Sequence, residues 1–160
     1  MYARTALCYN KSMKKAFFIC LLAGAAYWFF MTPETEIKNL HNPGLTVVAF
    51  GDSLTAGYGA GRDNSYPSVL AKKISRPVVN LGLSGDTGAA APVRLDKVME
   101  QNPYMVLIEF GGNDFMRGVG LEETEKSIRQ IVAAVQQYGA IAVIVDTGGY
   151  SQMARYTKLY

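Results

Sequence analysis

Four short, mostly apolar runs constrain this chain more than any other feature. Residues 46–50 (TVVAF), 77–81 (PVVNL), 105–110 (MVLIEF) and 140–145 (AIAVIV) lack the in-out alternation of half-exposed strands. Between them, apolar residues recur at helical spacing over 65–74 (Tyr66, Val69, Leu70, Ile74), 93–99 (Val93, Leu95, Val98) and 122–138 (Ile128, Ile131, Val132, Val135). Gly139 stands where the last of these helices must stop. The order is βαβαβαβ. Strands apolar on both sides, separated by amphipathic helices, predict an α/β domain with a parallel sheet covered on both faces. Ligands in such sheets bind beyond the carboxyl ends of the strands, so the chemistry is expected after Phe50, Leu81, Phe110 and Val145.

The 160 residues suffice for one domain with a real core, and 49% hydrophobic against 18% charged residues rules out a disordered or fibrous chain. The net charge of +3 is concentrated at the start. Without Arg4, Lys11, Lys14 and Lys15, 12 basic residues face 13 acidic ones. The body is near neutral, so no nucleic-acid partner is expected. Cys8 and Cys20 both precede the domain, and His41 is the one histidine, so no cysteine or histidine zinc site is expected.

Residues 1–15 form a basic flank and residues 16–31 an uncharged, apolar run. The run is shorter than the ~20 residues that span a bilayer, yet with Tyr27 and Trp28 near one interface it can cross a thin membrane. Lysines before it and Glu34 and Glu36 after it predict the N-terminus inside and the domain outside, in the periplasm or at the cell exterior. An uncleaved signal-anchor is the expectation, with a cleaved signal peptide and a buried core helix as the alternatives. Met13 starts a natural segment of this kind, so residues 1–12 read as an upstream extension. Residues 32–45, with Pro33, Asn42, Pro43 and Gly44, read as a linker, and the domain spans 46–160.

Three of the four strand ends carry glycine beside small polar groups: Gly51-Asp52-Ser53, Gly82-Leu83-Ser84-Gly85-Asp86 and Gly111-Gly112-Asn113-Asp114. Each alone is compatible with an ordinary turn. The first lacks the lysine of a phosphate loop and does not match G-x-G-x-x-G or the G-x-S-x-G elbow. Together they point to acyl transfer. A serine after the first strand projects its Oγ into the crevice. A glycine after the second lets a backbone N–H approach closely, and an asparagine after the third offers a neutral NH₂ donor.

These stretches, AFGDSLTAGYG, VVNLGLSGDTG and VLIEFGGNDFMRG, resemble in order and spacing the first three conserved blocks of the SGNH (GDSL-type) hydrolase superfamily. The nearest branch is that of bacterial periplasmic thioesterases, lysophospholipases and arylesterases. The resemblance implies a three-layer, flavodoxin-like α/β/α fold and a serine hydrolase acting on small carboxylic esters or thioesters without metal or organic cofactor. It also implies Ser53 as nucleophile, with the Ser53 N–H, the Gly85 N–H and the Asn113 side chain as oxyanion hole.

The family's Asp-x-x-His block, which supplies the base, has no counterpart here. Asp146 ends the fourth run with no histidine after it, and His41 lies in the linker, where a solvated residue is the plainer reading than a base. The expectation is a C-terminally incomplete hydrolase domain with little turnover of its own. A noncatalytic short relative and a carbohydrate O-deacetylase are the alternatives.

Overall fold

The computed structural model describes residues 37–146, together with residues 17, 19–24 and 27, which are helical and exposed. The N-terminal segment and the body from Ile37 onward are separate units. Among the described residues no helix is long and apolar enough to cross a membrane. Most of the expected membrane or signal helix, and the stretch after Asp146, lie outside the described residues.

In the body, four parallel strands run in the order β2-β1-β3-β4: β1 (Thr46–Gly51), β2 (Val78–Asn80), β3 (Pro103–Glu109) and β4 (Ile141–Ile144). All four expected runs are strands, with shifted ends. β3 starts at Pro103, because the first residue of a strand needs no N–H for the ladder. β2 is short, though Leu81 N and Leu83 N continue the pairing to Ala49 O and Gly51 O. The order places the switch point between β1 and β3, where a crevice opens at the carboxyl ends.

Alternation along the strands divides the sheet into two environments. On one face Val48, Phe50, Val106, Ile108 and Phe110 meet Ile128, Ile131 and Val135 of a long helix, Leu121–Tyr138, in a buried apolar core. The Phe50 and Phe110 rings pack edge to face at 5.1 Å. Gly139 ends that helix at φ +99, its N–H donating to Val135 O and Gln136 O, as the sequence predicts. On the other face lie Val47, Ala49, Leu107 and Glu109, near the helix Tyr66–Ile74. That helix covers less than its pattern promises, since Val69 and Ile74 remain exposed. The helix expected over 93–99 begins as a 3₁₀ turn, Ala91–Arg94, and becomes α-helical only over Leu95–Met99. Val93 therefore points to water, at 86% exposure, instead of joining the apolar face.

Two short helices were not legible in the pattern. Ser53–Ala56 follows β1 and Gly112–Met116 follows β3. In chain order the helices are named α1 (Ser53–Ala56), α2 (Tyr66–Ile74), α3 (Leu95–Met99), α4 (Gly112–Met116) and α5 (Leu121–Tyr138). At the opposite, amino end of the sheet, the linker is tied down. Asn39 Nδ2 donates to Gln136 O and Ala140 O, both at 2.9 Å, and Asn42 Nδ2 donates to Gly139 O.

Candidate active site

The site grows from the last residues of β1 and β3, which pair as Gly51 with Glu109. The backbone leaves β1 through Asp52, which caps α1: its Oδ1 accepts from Leu54 N at 2.9 Å. A short polar side chain at this position satisfies one of the orphan N–H groups of a helix start. Ser53 thereby becomes the first residue of α1. It is half-buried, and among the described residues neither its hydroxyl nor its N–H has a hydrogen-bond partner. A side chain on Gly82 would strike the α1 backbone, at 2.2 Å from Ala56 N, so only glycine lets the loop after β2 pass beneath the serine's helix.

Asn113, in the first turn of α4, is 8% exposed. Its Nδ2 donates to Asp86 O at 2.8 Å and to Asp52 Oδ2 at 3.2 Å. These two bonds fix the orientation of the amide and join the loop after β2 to the loop after β1. Gly85, next to Asp86, holds φ +80, a conformation that favours glycine, and among the described residues its N–H has no acceptor. Ser53, Gly85 and Asn113 are thus gathered at one end of the sheet through their immediate neighbours. Asn113's two hydrogens are both engaged, and the longer bond, to Asp52, is the one that a further acceptor would compete with.

Arg94 secures the loop from below. It forms an ion pair with Asp86, donates to Leu81 O at 3.1 Å and stacks over the Phe50 ring at 4.7 Å. Asp114 is fully buried and secures it from the side. Its carboxylate accepts from Gly88 N at 2.7 Å, Ala89 N at 3.1 Å and Thr124 Oγ1 at 3.0 Å.

A second buried acid, Glu109, lies under α1 at 2% exposure. Thr55 Oγ1 donates to its Oε2 at 2.8 Å and lies 3.2 Å from Tyr66 Oη. Because Gly51 pairs with Glu109, the next residue, Asp52, brings a second acid close to the Glu109 carboxyl. Burial, with the Asp52 charge beside it, pushes Glu109 up to about 7. Burial also raises Asp52, against the lowering effect of the Leu54 N–H. Burial pushes the Tyr66 hydroxyl up to about 12.

Sequence reasoning did not single out Asp52, Thr55, Glu109 or Asp114 for this supporting layer. One signal was present: an acid as the last residue of an otherwise apolar strand. His41 is exposed in the linker at the amino end of the sheet, the length of β1 away from Ser53, and so is not placed to serve it as base. No group of acids, cysteines and histidines among the described residues is arranged to hold a metal ion.

Comparison with known proteins agrees with this geometry. The sequence profile of the GDSL-like Lipase/Acylhydrolase family matches residues 49–158. The chain is 39% identical over 104 residues to "Thioesterase 1/protease 1/lysophospholipase L1" of Escherichia coli K12, a match covering 63% of this chain and 50% of that protein. It is 29% identical over 131 residues to "Esterase TesA" of Pseudomonas aeruginosa, covering 78% of this chain and 62% of that one. The fold superposes on a G-D-S-L family protein from Desulfitobacterium hafniense DCB-2 with a TM-score of 0.66 and 30% identity, over 71% of this chain and 68% of that one. The chain spans about half to two thirds of the length of the curated relatives it matches. On this agreement of sequence profile, sheet order and strand-end residues, the chain belongs to the GDSL-like lipase/acylhydrolase family.

Proposed function

We propose that this domain carries the nucleophile and the oxyanion hole of a serine hydrolase acting on small carboxylic esters or thioesters. The observation that carries the reading is the convergence of Ser53, the Gly85 loop and Asn113 through Asp52 and Asp86 at the switch point. Ser53 Oγ attacks the acyl carbonyl. The oxygen of the tetrahedral intermediate takes up charge, which the N–H groups of Ser53 and Gly85 and the Nδ2 of Asn113 stabilise. The leaving alkoxide or thiolate takes a proton, and water then hydrolyses the acyl-serine. This reading needs no metal or organic cofactor.

The attack also requires an imidazole or equivalent to remove the serine proton. Because His41 is at the wrong end of the sheet, residues 1–160 alone turn over slowly. Loss of a triad's nucleophile or base costs on the order of 10⁶ in rate. The basic flank and the apolar run over 16–31 support tethering of the domain, from residue 46 onward, at a membrane with its crevice outside. Release of the full chain by alkaline carbonate washing would exclude that tether.

The activity test is covalent. A fluorophosphonate probe, at high concentration and over hours because no base is placed beside the serine, labels chain 1–160 slowly at Ser53, located by mass spectrometry, and Ser53→Ala takes no label at that position. Equal labelling of the two would falsify the assignment of Ser53.

A further inference from the structure

We propose that Arg117 is a specificity-determining residue, whose guanidinium recognises a carboxylate or phosphate that the substrate ester carries near its scissile bond. The inference rests on the hydrolase reading above and narrows the substrate class to anionic esters. It stands on where the side chain begins, where it ends and what it lacks.

Arg117 stands one helical turn after Asn113, and its N–H donates to Asn113 O at 2.9 Å. Residues so spaced share a face. The turn that brings Asn113 to the loop after β2 therefore brings Arg117 the same way. The backbone just beyond is held too: Gly118 N donates to Phe115 O at 3.1 Å and Val119 N to Asp114 O at 2.9 Å. The far end of the side chain agrees with its root. A Cβ built on Gly85 would lie 3.1 Å from Arg117 Nη2, and among the described residues no other atom beyond its chain neighbours lies within 4 Å of it. The guanidinium thus covers the bare side of Gly85, at the mouth of the oxyanion hole.

Two arginines flank this loop, and they differ. Arg94 is half-buried and committed: it pairs with Asp86, donates to Leu81 O and lies over the Phe50 ring. Arg117 is exposed, and the ion pairs among the described residues, Arg94 with Asp86 and Arg129 with Glu125, do not include it. The acids around the loop are already answered. Asp86 has Arg94, and Asp114 has Gly88 N, Ala89 N and Thr124 Oγ1. An uncommitted guanidinium presents a planar fork of donors that fits a carboxylate or a phosphate. The unengaged N–H groups of Ser53 and Gly85 beside it favour the same sign of charge. Because Arg117 is exposed, water and salt weaken its field at the reacting carbon, and its effect falls on a charge that it touches directly.

The test is competition for Ser53 in chain 1–160. Slow fluorophosphonate labelling is timed against monomethyl succinate and neutral dimethyl succinate. Monoacetylglycerol phosphate and glycerol monoacetate form a second pair, which separates a phosphate from a carboxylate. With no base beside the serine, the competitors stay intact and report binding. In one pair at least, the anionic ester should protect Ser53 at about fivefold lower concentration than its neutral partner, the size of one exposed ion pair. That ratio should fall towards one in Arg117→Gln, and in the wild type at roughly 0.5 M salt. It should survive in part in Arg117→Lys. The ¹⁵N signal of the Gly85 amide should move with the anionic ester in the wild type and not in Arg117→Gln. The proposal is overturned if neither anion is preferred, or if the preference ignores salt. It is also overturned if Arg117→Gln slows labelling yet keeps the preference, the mark of a role at the oxyanion itself. A Gly85 shift that Arg117→Gln abolishes, with no label found at Ser53, would instead strike the hydrolase reading alone.

Discussion

The carboxyl ends of β1 and β3 and the flank formed by β4 and α5 belong to one sheet, yet different forces hold them. At the first, acids and hydroxyls are buried and each is answered by a donor or acceptor: Asp52, Thr55, Glu109, Asn113, Asp114 and Thr124. At the second, β4 pairs only with β3 among the described residues, and a groove of about 290 Å³ opens beside Val132, Ala133, Gln136 and Ile144. Its rim ion pair, Arg129 with Glu125, is exposed and contributes little. Directional bonds between buried polar groups leave few alternatives, and removing one partner strands the others. Apolar contacts are non-directional, and a half-exposed side chain yields little when trimmed. The site should therefore be brittle and the flank tolerant.

Asp114→Ala is the strongest way to break that contrast. It removes the one acceptor shared by Gly88 N, Ala89 N and Thr124 Oγ1. Thr124 Oγ1 keeps Gly120 O, and the two stranded backbone donors cost ~1–3 kcal/mol each, so the loss of stability should be roughly 2–6 kcal/mol. Urea unfolding followed by circular dichroism reads it. A loss below about 1 kcal/mol would mean that water reaches these groups and that the site is not sealed.

Asn113→Ala is the next largest. Deleting the amide removes one stabiliser of the intermediate, and Ser53 labelling should slow by ~10²–10³. Its fold should persist, because Asp52 keeps the Leu54 N–H. Labelling within threefold of wild type would show that the backbone donors at Ser53 and Gly85 suffice.

Acid–base linkage gives the third. Glu109 is raised from 4.5 to about 7 on folding. Between those values the folded chain keeps a proton that the unfolded chain releases, so stability falls as pH rises. The contribution is complete below 4.5 and gone once pH has passed about 7. Over that window the linked loss is on the order of 3 kcal/mol, and Asp52, raised in the same direction, adds to it. Urea midpoints at pH 5 and pH 8 should differ in the wild type and converge in Glu109→Gln. A wild-type midpoint that is flat, or that rises with pH, contradicts the buried acid pair.

The same contrast explains what could be seen in the sequence. Strands such as VVAF and the helix over 122–138 were legible because burial imposes a period on many residues at once. Ser53, Gly85 and Asn113 were legible as a group because parallel topology sends all strand ends to one side. α1 and α4 were not, since four or five residues are too few to display a helical period. Val93 misled for a related reason: its spacing is helical, but the chain enters α3 through a 3₁₀ turn. The supporting acids were hidden by distance. Thr55 and Glu109 are 54 residues apart, and Asn113 and Asp52 61, and neither pair leaves a local pattern.

Val132→Ala probes the tolerant side and should have the smallest effect. Val132 lines the groove on α5 and is only partly buried against the core. Trimming it removes two methyl groups from a wall already open on one side, so little cavity is created. The expected loss is about 1 kcal/mol or less, in the range of ordinary substitutions. Ser53 labelling should not change, because nothing links Val132 to the Asp52 network except the packed core itself. Urea unfolding and labelling on the same sample check both halves. A loss above about 3 kcal/mol is a core-sized penalty. It would show that the groove is covered in solution, and the flank would then have to be counted with the core rather than against the site.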